Sequence, residues 1–238
     1  MELTRLGGLG IYQPQAGYRF SIDSILLAFF APLALGRIAD LGSGCGILPL
    51  LLARRGVKGP FTAVEMDTVS ARCCQINLAH LPASVLEHDM CMPHVALPAG
   101  GFKMVIANPP FGQPGRGRIS LQKSKASARH QLKLTWEQLW RVAAGLLPPQ
   151  GKLILCLPPR CLVQAFAGME KYNLVPKRLR LVHGRGELPA KIALLEAVKD
   201  AGMELRVEPP FILYQDKANT PGPELAALYE YLRINHSV

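Results

Sequence analysis

The 238-residue sequence lacks a long apolar run. Its longest uncharged apolar stretch, residues 25–36, falls short of the roughly 20 residues that a membrane-spanning helix needs. The start, Met1-Glu2-Leu3-Thr4-Arg5, has no basic segment leading into an apolar one, so no secretory signal is expected. Repeats and low-complexity tracts are absent. Cysteine is sparse, six residues without paired spacing: Cys73 and Cys74 are adjacent, and Cys156 and Cys161 lie five apart. That pattern excludes a disulfide scaffold and predicts reduced, mostly buried thiols in a cytoplasmic protein. His130 and His183 have no metal-like partners in the sequence, and no metal is expected. Charge is also scarce, at 18% of residues against 49% hydrophobic, which excludes intrinsic disorder.

The charge that is present leans one way. Lys and Arg number 27 against 17 Asp and Glu, a formal +10, which makes polyanions the leading class of large partner. The length suits a single domain spanning residues 1–238.

Short apolar runs alternate with helical patterns. Residues 37–40 read as a strand, followed by the glycine turn Leu41-Gly42-Ser43-Gly44-Cys45-Gly46 and a helix. Residues 61–64 form a second strand ending at Glu65, with a helix predicted over 68–81. Strands at 84–88 and 103–107 stop at Asp89 and Asn108, and a fifth at 152–157 follows a helix over 136–147. Such alternation predicts βαβ units and an α/β fold with a mostly parallel sheet. Further strands are expected at 178–183, 191–198 and 204–207, with residues 200–202 as a hairpin turn between the last two. A closing helix is predicted over 223–232.

In parallel sheets, ligands sit beyond the carboxyl ends of the strands. Asp40, Glu65, Asp89 and Asn108 would therefore face one crevice. Any one of them is what begins an ordinary loop; four in register are not so readily explained. Alternating glycines allow a tight turn and close approach of a ligand. The spacing is G-x-G-x-G, not the G-x-G-x-x-G of dinucleotide sites. The acid two residues before the first glycine would repel a pyrophosphate and suit a cationic amino-acid head group. Glu65 would accept from both hydroxyls of a ribose.

Asn108-Pro109-Pro110-Phe111 is the most specific motif. The two prolines fix a rigid turn. The Asn108 side-chain oxygen and the Pro109 carbonyl would accept from one exocyclic amine, and Phe111 would stack on its planar base. Those acceptors strengthen as positive charge develops on an amine attacking an electrophilic carbon. No general base is needed during attack, because the proton can leave afterwards.

Asp40, Gly42, Gly44, Gly46 and Glu65 resemble the S-adenosylmethionine site of class I methyltransferases. The resemblance implies a Rossmann-like fold with a mostly parallel seven-stranded sheet and an antiparallel C-terminal strand pair. It further implies that Glu65 binds ribose, Met66 lies against the adenine, and Asp89 accepts from the adenine amino group with Met90 alongside. Asn108-Pro109-Pro110-Phe111 resembles the signature of amino methyltransferases acting on adenine, guanine or glutamine nitrogen.

Residues 13–28, the motif at 108–111, Ala128-Arg129-His130, residues 191–198 and Phe211-Ile212-Leu213-Tyr214 resemble the bacterial tRNA adenine-N6 methyltransferases that act beside the valine anticodon. By that resemblance Tyr18, Arg19, Phe20 and Asp23, within an N-terminal segment of residues 1–36, would cover the methionine end of the cofactor. Some members carry tyrosine where this chain has Phe111, a residue also found in guanine-N2 rRNA enzymes.

Residues 90–136 contain no Asp or Glu, while Arg116, Arg118, Lys123, Lys125, Arg129 and Lys133 accumulate there. They predict a basic substrate loop over 112–130 that meets RNA phosphates. Lys177, Arg178 and Arg180 would extend that track. The expectation is thus an S-adenosylmethionine-dependent N-methyltransferase acting on an exocyclic amine of RNA, foremost adenine-N6 in tRNA. Guanine-N2 of rRNA, glutamine-N5 of a protein and adenine in DNA follow as alternatives.

Overall fold

The computed structural model describes residues 1–16, 19–33, 36–109 and 135–234. The chain opens with a hairpin of β1 (Glu2–Leu6) and β2 (Leu9–Gln13), then α1 (Ile22–Phe30). The hairpin has no counterpart in the sequence reading; its strands are five residues each, with Ile11 the one buried apolar side chain between them, so they carry little apolar pattern.

The predicted alternation follows: β3 (Ile38–Leu41), α2 (Ile47–Arg54), β4 (Phe61–Glu65), α3 (Thr68–Asn77), β5 (Ala83–Glu87) and β6 (Met104–Ala107). Beyond residue 134 come α4 (Trp136–Leu146), β7 (Lys152–Leu157), α5 (Leu162–Glu170), β8 (Leu174–His183), β9 (Ala190–Lys199), β10 (Arg206–Val207), β11 (Phe211–Ile212) and α6 (Pro223–Ile234). Local chemistry sets the helix starts. Thr135 and Gln138 form a reciprocal capping box on α4, and Asp67 accepts from Ser70 N–H at 2.8 Å to cap α3.

The large sheet runs β10-β8-β9-β7-β6-β3-β4-β5, with β11 also on β8, making nine strands. Seven of these, from β8 to β5, form the expected mostly parallel sheet; β10 and β11 are two-residue additions. β9 lies antiparallel between β7 and β8.

One expectation is overturned here. Residues 200–202 do not close a hairpin, because both edges of β9 are already paired. Arg206-Val207 instead runs parallel to β8 at Arg178-Leu179.

Apolar side chains cover both sheet faces. One layer gathers Ile25, Leu27, Leu51, Phe61 and Leu225 from the side of α1, α2 and α6. The other gathers Phe102, Leu139, Trp140 and Leu155 beneath α4. β3 contributes Ile38 to the first and Ala39 and Leu41 to the second, the period-two alternation of a central strand. No helix among the described residues is long and apolar enough to cross a membrane.

Candidate active site

The sheet order reverses between β3 and β6: β4 and β5 extend to one side, β7 to the other. Beyond the carboxyl ends of strands at such a switch point lies a crevice. A cleft of about 310 Å³, counted to its open mouth, occupies it. Gly42, Ser43, Gly44 and Cys45 supply the turn after β3, and Ile47 and Leu48 the start of α2. Phe20 and Ser24 come from the α1 segment and Asn108 from the end of β6.

The turn is held from below. Gly42 and Ser43 N–H donate to the Val64 carbonyl at 2.9 and 3.0 Å, and Gly44 N–H donates to Glu65 Oε2 at 2.7 Å. Gly46 has φ +80°, and a Cβ there would lie 2.7 Å from Cys74 Sγ and 3.1 Å from Leu78 Cγ. Glycine alone meets both demands. Asn77 of α3 completes the support. Its Nδ2 donates to the Cys45 and Tyr12 carbonyls, each at 2.8 Å, and its Oδ1 accepts from Tyr12 N–H at 2.9 Å.

Asp40 is 1% exposed, does not line the cleft, and both of its carboxylate oxygens lack a hydrogen-bond partner among the described residues. Burial pushes its pKa well above the usual carboxylate range, and the Glu65 charge adds to the rise. A buried unpaired carboxylate is costly unless a cation compensates it. This donor set fits a ligand with a cationic ammonium group and opposes a pyrophosphate.

Glu65 is also raised, by burial foremost. Its oxygens accept from Gly44 N–H and from Asp67 N–H at 2.8 Å, yet each carboxylate oxygen has a second lone pair for a hydroxyl donor. Met90 reaches the turn, its Cε standing 3.7 Å from where a Cβ on Gly42 would be. Met66 is 45% exposed beside Glu65. Asp89 is exposed and accepts from Cys91 N–H at 2.9 Å. Across the cleft, Asn108 Nδ2 donates to Ser24 Oγ at 2.9 Å, and Pro109 is buried.

The structure thus gathers Phe20, the glycine turn, Glu65, Met90 and Asn108 about one crevice. Arg19 is turned away, pairing with Glu2 at 3.2 Å and donating to Thr4 Oγ1 at 3.0 Å on β1. Asp23 is half-buried and outside the cleft lining; desolvation raises its pKa. Tyr18, Pro110, Phe111, Arg116, Arg118, Lys123, Lys125, Arg129, Lys133 and the Ala128-Arg129-His130 motif lie outside the described residues.

The second basic group does not form an open track. Lys177 faces Glu204 at 4.0 Å, Arg178 pairs with Glu196 at 3.0 Å and Glu208 at 3.5 Å, and Arg180 grips both oxygens of Glu224 at 2.7 Å. Acids brought from β9 and α6 neutralise it. Among the described residues, no three His, Cys, Asp or Glu side chains gather as a metal ion would require.

Sequence reasoning did not find Ser24, Ser43 and Asn77 in this site. Ser24 carried a usable signal, a small polar residue inside the apolar run of α1. Asn77 carried none beyond its place near the end of a helix.

A family model described as methyltransferase small domain matches residues 22–160. A tRNA1(Val) (adenine(37)-N6)-methyltransferase of Shewanella frigidimarina is 32% identical, the match covering 73% of this chain and 72% of that protein. The protein of the same name from Tolumonas auensis is 30% identical over 94% of each chain. Among solved structures, a protein described as a predicted O-methyltransferase from Agrobacterium tumefaciens superimposes with a TM-score of 0.70 at 25% identity. That match covers 88% of this chain and 96% of the other.

Proposed function

The chain belongs to the methyltransferase small-domain family, and from that premise we propose that it methylates the exocyclic N6 of adenine in tRNA. It is an S-adenosylmethionine-dependent N-methyltransferase. The observation that carries the reading of methyl transfer to an amine is Asn108, placed across the same cleft as the glycine turn. The relatives named for adenine-N6 methylation of tRNA1(Val) support it.

S-adenosylmethionine supplies an electrophilic methyl group when bound. The buried Asp40 would balance its ammonium, Glu65 would hold the ribose hydroxyls, and Met66 and Met90 would flank the adenine near Asp89. Gly42, Gly44 and Gly46 would let the backbone approach, and Phe20 would cover the cofactor together with Tyr18, whereas Arg19 is held on β1 and Asp23 lies outside the lining.

Toward the substrate, Asn108 Oδ1 and the Pro109 carbonyl accept hydrogen bonds from the amine, aligning its lone pair and stabilising the positive charge that grows on nitrogen. By their place in the sequence motif, Pro110 would rigidify the turn and Phe111 would stack on the base. Arg116, Arg118, Lys123, Lys125, Arg129 and Lys133 of the basic loop would hold phosphates without reading sequence. The base must leave its stack, which is least costly in an unpaired loop. The reading takes the reaction to be cytoplasmic and residues 1–238 to act as one domain.

The test is methyl transfer from labelled S-adenosylmethionine to bulk tRNA from a strain lacking this protein, followed by nucleoside analysis. Label in N6-methyladenosine supports the reading. Label confined to N2-methylguanosine in rRNA, or to a protein glutamine, replaces it.

A further inference from the structure

We infer that Ser24 is a positioning residue for methyl transfer: its hydroxyl fixes which end of the Asn108 amide faces the substrate. The inference rests on the role given to Asn108 above. An asparagine amide is nearly symmetric in shape, so a half-turn about its terminal bond exchanges the oxygen for the NH2 group. The two orientations are chemically opposite. With the oxygen toward the substrate amine, the side chain accepts; with the NH2 toward it, donor meets donor and the growing positive charge is repelled.

The structure holds one orientation, Asn108 Nδ2 donating to Ser24 Oγ at 2.9 Å. Ser24 is 2% exposed and sits in the first turn of α1, so little water reaches its side of that part-buried contact. Serine within a helix commonly spends its own proton on a carbonyl one turn back, which leaves its lone pairs for a neighbouring donor. The N-cap contact from Ser21 Oγ to Asp23 N–H fixes the start of α1, and the Gln13 side chain holds Phe20 N–H at 3.2 Å. The hydroxyl is therefore presented by anchored backbone. The bond spans residues 84 apart in sequence, joining the N-terminal segment to the substrate turn.

The experiment compares wild type, Ser24→Ala, Ser24→Thr and Asn108→Ala with the RNA that wild type methylates best. Turnover, the dissociation constant for S-adenosylmethionine and the melting midpoint are measured for each. Loss of one orienting hydrogen bond predicts a kcat for Ser24→Ala lower by about five- to tenfold, with cofactor affinity within about twofold of wild type. Ser24→Thr keeps the hydroxyl and restores most of the turnover. A purely structural serine would instead lower melting and cofactor affinity together.

The inference fails if Ser24→Ala turns over like wild type, if its loss of turnover follows its loss of cofactor binding, or if Ser24→Thr is no better than Ser24→Ala. If Asn108→Ala keeps wild-type turnover, or wild type methylates no RNA, the reading of Asn108 falls and this inference with it. An inactive Asn108→Ala beside a fully active Ser24→Ala removes the inference alone.

Discussion

Gly46→Ala is the substitution whose cost the structure defines most closely. Gly46 caps α2 with φ +80°, and forcing alanine into that left-handed region costs about 1–2 kcal/mol. The new Cβ would stand 2.7 Å from Cys74 Sγ and 3.1 and 3.2 Å from Leu78 Cγ and Cδ1, all in buried surroundings. Overpacking of a dense core adds about 1–3 kcal/mol. The sum, about 2–5 kcal/mol, is a large share of the roughly 5–15 kcal/mol that holds a domain folded. For a chain of this size it lowers the melting midpoint by about 10 °C.

Gly42→Ala is the internal control. Its φ is +73°, but its Cβ would meet only Met90 Cε at an ordinary 3.7 Å. Only the backbone cost applies, about 1–2 kcal/mol, which is a fall of about 3–6 °C. Thermal unfolding followed by circular dichroism separates the two variants. Equal midpoints for them, or a Gly46→Ala midpoint matching wild type, would refute the packing argument.

Three further outcomes are expected. Burial raises the Asp40 pKa above its ordinary 3.8, so its favourable contribution is full below that pH and is lost as pH rises through the raised folded-state value. Asp40→Asn should therefore melt above wild type near neutral pH, the gap narrowing as pH falls toward the ordinary 3.8, while binding S-adenosylmethionine more weakly; a gap independent of pH would contradict this. Asn77→Ala removes three hydrogen bonds, one buried and two part-buried, costing about 3 kcal/mol, and by freeing the Cys45 carbonyl should also weaken cofactor binding; loss of stability with unchanged affinity would separate the two. Burial pushes Cys45 up to about 12 and Cys74 and Cys156 also upward, so only the half-buried Cys91 and Cys161 should react promptly with a disulfide reagent in the native protein. All six should react after denaturation, and more than two fast native thiols would show that the core opens readily.

What was legible in the sequence was whatever the backbone pattern and local chemistry carry together. β3, β4, β6 and β7 are short, almost wholly buried strands, so they stand out as mostly apolar runs, with Asp40 inside β3 and Glu65 closing β4. The glycine turn and Asn108 were visible because each follows such a run directly. The hairpin expected at residues 200–202 failed because strand pairing is decided across the sheet: a turn-forming Asp200 says nothing of β9 being occupied on both edges. Likewise Lys177, Arg178 and Arg180 read as an open basic cluster only while Glu196, Glu208 and Glu224, all distant in sequence from at least one of them, are out of view.

The parts of the site that escaped the sequence are those made by elements outside the central βαβ units. The β1–β2 hairpin is tied to the glycine turn through Asn77, which bonds Tyr12 on one side and Cys45 on the other. Arg54, at the far end of the helix that the turn initiates, donates to the Gly7 carbonyl in the hairpin bend and to the Leu232 carbonyl of α6. Tyr231 of α6 returns a bond to the Arg54 carbonyl at 2.9 Å. Helix α2 is thus held at one end by the cleft turn and at the other by both extremities of the described fold. Displacing the hairpin would therefore disturb the glycine turn at Asn77 and α2 at Arg54 together, so the two ends of the chain are part of the scaffold that keeps the cleft in shape.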